Sequence, residues 1–62
     1  MRHERELISK DEVAGLVGYS TRGLDKLIQA GTFPKPFRFS SRKIRFDRDE
    51  VLSWMESQRQ AG

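Results

Sequence analysis

Half of the cationic side chains of this 62-residue chain lie in one short segment, residues 35–48. The segment contains a single acid, Asp47. Rows of Lys and Arg bind phosphate oxygens, so this clustering indicates a polyanionic partner even though the net charge is only +3. The cations concerned are Lys35, Arg38, Arg42, Lys43, Arg45 and Arg48.

The chain offers little for catalysis or metal binding. It has no cysteine, and its one histidine, His3, lies in a charged N-terminal tail away from other ligands. Asp47, Asp49 and Glu50 are interpreted as residues that cap and charge the start of a helix, because no glycine-rich phosphate loop accompanies them. We therefore expect no enzyme activity, no metal and no cofactor.

Length and hydropathy bound the architecture. A chain of 62 residues predicts a single domain spanning 1–62, with an ordered core at about 7–57 and tails at 1–6 and 58–62. No apolar stretch approaches the roughly 20 residues of a membrane span, and "MRHERELISK" has no apolar core of a signal peptide. We expect a cytoplasmic protein.

Two short helices flank the turn "GYS". Ser9 and Glu12 have capping-box spacing, and the apolar residues that follow predict a helix over Lys10 to Val17 that ends at Gly18. A second helix begins after Ser20 and ends at Gly31. A turn of this length between amphipathic helices is typical of a helix-turn-helix, although an ordinary helical hairpin has a similar pattern.

Beyond the second helix the period changes from helical to alternating. Pro34 and Pro36 exclude helix, and "FRF" and "KIRF" then alternate apolar with basic residues. We predict a hairpin with its loop near residues 40–42, an aromatic inner face and a basic outer face. The large side chains expected in the core are Phe33, Phe37, Phe39, Ile44, Phe46 and Trp54.

A third helix closes the chain. Asp47 and Glu50 repeat the capping spacing, the segment "VLSWM" supplies an apolar face, and polar "ESQRQAG" is expected to fray. The predicted fold class is α+β: a small winged helix-turn-helix with a two-stranded antiparallel wing and a C-terminal helix.

These segments, in this order, resemble AlpA-type prophage regulators and phage excisionases, which are related to the DNA-binding domain of the MerR family. The resemblance covers roughly Leu7 to Met55. It is carried by "DEVAGLVGYS", by "LIQAGTFPKPF", by the basic run "RKIRF" and by "DEVLSWM".

The resemblance implies that the second helix enters the major groove of DNA and that the wing lies along the backbone or minor groove. The residues themselves point to the same surfaces, because arginine can read a guanine edge and cations can neutralise phosphates. The candidate DNA-binding residues of the second helix are Ser20, Thr21, Arg22 and Lys26. Those of the wing are Arg38, Ser41, Arg42, Lys43 and Arg45.

Two positions depart from the resemblance, because these regulators usually have Thr and Tyr where this chain has Gly23 and Asp25. Gly23 weakens the helix but allows a close approach of backbone. Asp25 has three interpretations. It could accept from a cytosine amine, orient Arg22 or Lys26, or simply favour the helix start away from DNA.

We expect a sequence-specific duplex-DNA-binding protein that acts as a transcriptional regulator or an excisionase in the bacterial nucleoid, beside an integrase or RNA polymerase. The absence of heptads predicts a monomer or weak oligomer that binds adjacent sites cooperatively. The alternative is a protein-interaction module whose basic wing or exposed helix docks on an acidic partner or a recombinase. A basic hairpin can also be a solvated edge that merely discourages aggregation.

Overall fold

A computed structural model describes residues 5–61 of the chain, with side chains through residue 59. Residues 1–4 of the predicted tail, which include His3, lie outside the described residues, as does Gly62. Three helices and three strands follow one another in the order β1 (Leu7–Ser9), α1 (Lys10–Val17), α2 (Thr21–Ala30), β2 (Phe37–Arg38), β3 (Ile44–Asp47) and α3 (Arg48–Ala61).

The first two helices begin and end as their capping residues predict. Ser9 Oγ accepts from the Glu12 amide at 3.2 Å, and the Glu12 carboxylate accepts from the Ser9 amide at 3.0 Å. Gly18 and Gly31 terminate α1 and α2 in the left-handed region, at φ of 76° and 77°. Only glycine adopts this conformation without strain, so each helix has a defined end.

The sheet has one strand more than the predicted wing. β1 pairs with β3, and the antiparallel order is β1-β3-β2, so β3 is the central strand. Ile8 of β1 lies opposite Phe46, and both side chains are buried. A three-residue strand is too short to show alternation, which is why the sequence pattern did not reveal it.

The register of the hairpin contradicts the predicted aromatic inner face and basic outer face. Phe37 lies opposite Arg45, and Arg38 lies opposite Ile44. Residues directly opposite each other share a face, so each face carries both an apolar and a basic residue. The prediction required a register one residue away, and a shift of one residue exchanges the two faces.

The core prediction is consequently wrong for Phe37 of β2 and for Phe39, which follows this strand. Phe39 is 57% exposed and Phe37 is only half-buried, and neither belongs to the buried cluster. Phe33 and Phe46 are buried as predicted, and their rings meet edge to face with centroids 5.9 Å apart.

The rest of the core is contributed by all three helices. The fully buried side chains of the helices are Val13, Leu24 and Val51. Trp54 and Ile44 are half-buried against this cluster. The Trp54 indole packs on Phe33 at a centroid distance of 4.8 Å and donates to the Thr32 carbonyl at 2.7 Å. The segment between α2 and β2 is thereby joined to α3.

Asp47 connects the central strand to the last helix. Its Oδ1 accepts from the amides of Asp49 and Glu50 at 2.8 and 3.3 Å, which confirms the predicted cap. Its Oδ2 pairs with Arg5 Nε at 2.9 Å. α3 then continues to Ala61, beyond the predicted end of the ordered core.

Candidate nucleic-acid interface

One face of α2 is buried and the opposite face is open to solvent. Leu24 is fully buried, whereas Thr21, Arg22 and Lys26 are exposed. Ser20 caps the helix, and its Oγ accepts from the Gly23 amide at 3.1 Å. Of the four residues predicted for DNA contact, Ser20, Thr21 and Arg22 lie at the exposed N-terminal end of α2, and Lys26 follows one turn after Arg22.

The exposed row extends beyond the predicted residues. Gln29 is exposed and lies seven positions after Arg22, with Lys26 between them. The spacing of four and then three residues places these side chains on one face of a helix. This spacing is visible in the sequence, but the predicted set of Ser20, Thr21, Arg22 and Lys26 did not include Gln29.

The tight turn between the helices explains Gly23. The amides of Gly18 and Tyr19 both donate to the Ala14 carbonyl, at 2.9 and 3.1 Å. A Cβ at position 23 would lie 3.2 Å from Cδ2 of Tyr19. The missing side chain thus makes room for the Tyr19 ring beside α2.

Asp25 has a partner that none of the three interpretations named. Its Oδ1 lies 2.7 Å from Nζ of Lys10, which is the first residue of α1. The two side chains are 48% and 32% exposed, so solvent screens the pair and its contribution to stability is below about 1 kcal/mol. The contact ties the start of α1 to the middle of α2, and within residues 5–61 Asp25 forms no ion pair with Arg22 or Lys26.

Replacing Asp25 with Asn should leave the ranking of preferred DNA duplexes unchanged, because the carboxylate is engaged by Lys10. The free energy of unfolding should fall by less than about 1 kcal/mol. Duplex selection and urea denaturation measure the two effects. Lys10→Met is the control, since it removes the same ion pair from the other side. A loss of selectivity at a single base pair in the Asp25 variant alone would show that Asp25 contacts a base.

The tip of the wing is held by one serine. Ser40 Oγ accepts from the amides of Arg42 and Lys43, at 3.3 and 3.0 Å, and the Phe39 amide donates to the Lys43 carbonyl at 2.9 Å. These bonds satisfy the backbone locally. The side chains of Ser41, Arg42 and Lys43 are exposed around the tip.

The other two predicted wing residues lie on opposite faces of the sheet. Arg45 is half-buried, and its Nη1 donates to the Ile44 carbonyl at 2.9 Å. Arg38 is exposed on the other face, beside a small cleft that it shares with Ile28 and Gln29 of α2. The structure thus brings Arg38 toward α2, groups Ser41, Arg42 and Lys43 at the tip, and places Arg45 on the same face of the hairpin as Lys43.

Several carboxylates form ion pairs, but within residues 5–61 none of these pairs involves a candidate DNA-binding cation. Asp25 pairs with Lys10, Asp47 with Arg5, and Glu56 with Arg59. Within residues 5–61, no carboxylate forms an ion pair with the candidate cations. These cations are Arg22, Lys26, Arg38, Arg42, Lys43 and Arg45. Their positive potential is consequently available to a partner.

Two further properties of the described residues bear on function. Residues 5–61 contain no group of three His, Cys, Asp or Glu side chains arranged to hold a metal ion. Within the same residues, no helix has the length and apolar character needed to span a membrane.

A sequence profile described as helix-turn-helix domain matches residues 7–59. The chain belongs to the helix-turn-helix domain family. Comparisons with curated proteins and with solved structures gave no match. In this helix-turn-helix protein, α1, the "GYS" turn and α2 form the helical pair and the hairpin β2–β3 forms the wing. Membership of the family indicates DNA as the partner.

Proposed function

We propose that this protein binds specific duplex DNA as a prophage-type transcriptional regulator or excisionase. The observation that carries the proposal is the set of exposed cations on α2 and on the wing that have no carboxylate partner within residues 5–61. Duplex DNA presents one negative charge about every 1.7 Å along its axis, and it matches such a surface. The role is one of binding, without catalysis and without a cofactor.

Each part of the surface has its own task in this proposal. The N-terminal end of α2 lies in the major groove, where Arg22 donates to a guanine edge and Ser20 and Thr21 contact a phosphate. Arg42 and Lys43 at the wing tip bind the backbone on either side of the neighbouring minor groove. The contacts of α2 specify the sequence, and those of the wing supply affinity.

A single copy covers a short site, so we propose that two or more copies bind adjacent half-sites cooperatively in the bacterial cytoplasm. An integrase or RNA polymerase would act beside them. Selecting bound duplexes from a random pool tests the role. Direct repeats next to an integrase-binding region would support excision, and a site over a promoter would support transcriptional control.

Duplex affinity should fall steeply as salt rises. Neutralisation of four to six phosphates gives an expected log–log slope of about −4 to −5. Arg42→Ala and Lys43→Ala should weaken binding to all sequences alike, and each should reduce the slope by about 1. Titrations by fluorescence anisotropy at several salt concentrations measure these slopes.

Arg59→Ala is the matched control for those charge deletions. Arg59 is exposed on α3 and paired with Glu56, so its loss changes the net charge equally without touching α2 or the wing. Its salt slope should equal that of the unmodified protein. Absence of duplex binding at low salt would overturn the DNA proposal and favour a protein-interaction module.

A further inference from the structure

Phe39 is the most exposed large hydrophobic side chain within residues 5–59. It is 57% exposed, compared with 43% for Tyr19 and 40% for Leu16. Burial of a phenylalanine side chain is favourable, and this ring leaves much of that stabilisation unused in the free protein. Its position, at the end of β2 beside the wing tip, is where the proposed function places DNA.

The exposed ring has one aromatic contact within residues 5–59. It stacks on Phe37, with centroids 6.4 Å apart and the planes inclined by 13°. The guanidinium of Arg5 lies 5.0 Å from the centroid of Phe37 and holds that ring in turn. The backbone amide of Phe39 donates a hydrogen bond to the Lys43 carbonyl. The contact with Phe37 favours one orientation of the Phe39 ring, which lowers the conformational entropy lost when a partner covers it.

The surroundings of Phe39 are basic. Residues 35–46 contain no acid, Lys43 is exposed near the ring, and Arg42 is exposed at the adjoining tip. The bond between Phe39 and Lys43 continues the register of the hairpin, which puts their side chains on the same face. A partner surface complementary to this region is therefore anionic, and it also has apolar groups that can contact the Phe39 ring. The minor groove of DNA, lined by deoxyribose and flanked by phosphates, has both properties.

We propose that Phe39 packs against deoxyribose and base edges in the minor groove while Arg42 and Lys43 bind the flanking phosphates. This inference rests on the proposed function and assigns an apolar, salt-independent part of the binding to the wing. Proteins that bind the minor groove commonly use apolar side chains in this way, beside cations that neutralise the backbone.

Phe39→Ala should lower the affinity for the selected duplex by about tenfold, the effect expected for loss of one aromatic contact with nucleic acid. The salt slope should be unchanged, in contrast to Arg42→Ala. Phe39→Leu should retain most of the affinity because it keeps an apolar side chain. Hydroxyl-radical footprinting, which reports on minor-groove sugars, should show loss of protection under the wing in the Phe39→Ala complex and normal protection along the rest of the site.

Leu16→Ala is the matched control, since it truncates another exposed apolar side chain that lies on α1. It should bind and footprint like the unmodified protein. Circular dichroism verifies that each variant is folded.

Unchanged affinity and footprint in Phe39→Ala, with normal DNA binding by the unmodified protein, would overturn the inference alone. If Phe39→Ala binds DNA normally but no longer binds a purified integrase, the ring contacts a protein and the minor-groove inference is overturned. Failure of the unmodified protein to bind duplex DNA would overturn the proposed function itself.

Discussion

Arg22→Ala is expected to lower the affinity for the preferred duplex by about 1 to 3 kcal/mol and to make one base pair of the site interchangeable. Arg22 is exposed in the first turn of α2 and pairs with no carboxylate within residues 5–61. Its guanidinium is therefore available to donate to O6 and N7 of a guanine. Anisotropy titrations on the selected duplex and on variants of each base pair measure the effect.

Arg22→Lys separates geometry from charge. Lysine retains the positive charge but lacks the planar fork that matches a guanine edge. This variant should keep the salt slope of the unmodified protein and still lose selectivity at the same base pair. Equal weakening of all duplexes by Arg22→Ala, with no change in selectivity, would show instead that Arg22 contacts the backbone.

Phe46→Ala should have the largest effect on stability. Phe46 is 1% exposed, lies on the central strand opposite Ile8, and meets Phe33 edge to face. Truncating a buried phenylalanine to alanine costs about 3 to 5 kcal/mol. At about 0.05 to 0.15 kcal/mol per residue, a domain of this size has only about 3 to 9 kcal/mol in total. Much of the variant should be unfolded at 25 °C.

Phe39→Ala is the control for that prediction, because it deletes the same atoms from an exposed position. It loses only its stacking on Phe37, so its free energy of unfolding should fall by no more than about 1 kcal/mol. Urea denaturation followed by circular dichroism compares the two variants. Equal losses of stability would contradict the placement of Phe39 outside the core.

Gly23 and Asp25, the two positions that depart from the resemblance, both have neighbours within the domain. Gly23 leaves space for the Tyr19 ring, and Asp25 pairs with Lys10. The pair between Asp25 and Lys10 joins α2 to the start of α1. The remaining exposed face of α2 is then formed by Arg22, Lys26 and Gln29.

Capping made the helices predictable. The bonds between Ser9 and Glu12, and between Ser20 and Gly23, join residues three apart, so their side-chain types are visible in the sequence. The cap of α3 at Asp47 follows the same logic. The exposed candidates on α2 were also predictable, since helical spacing alone separates them from Leu24.

The wing was predicted less well because its arrangement depends on contacts between distant residues. Alternation within "FRF" and within "KIRF" shows that each segment is extended, but it does not show which residue of one lies opposite which of the other. The hydrogen bonds of Ser40 form the loop that gives the observed register, and this register exposes Phe39 and brings Arg38 toward α2.

By itself, the sequence determined the three helices, the extended wing, the clustering of positive charge and the resemblance to a winged helix-turn-helix. Local capping and periodicity encode these features, and they need no knowledge of distant contacts. Only the tertiary structure decided the third strand, the faces of the hairpin, the partner of Asp25 and the exposure of Phe39. Each of these depends on which residues meet across the fold, and that choice is made by packing and strand register.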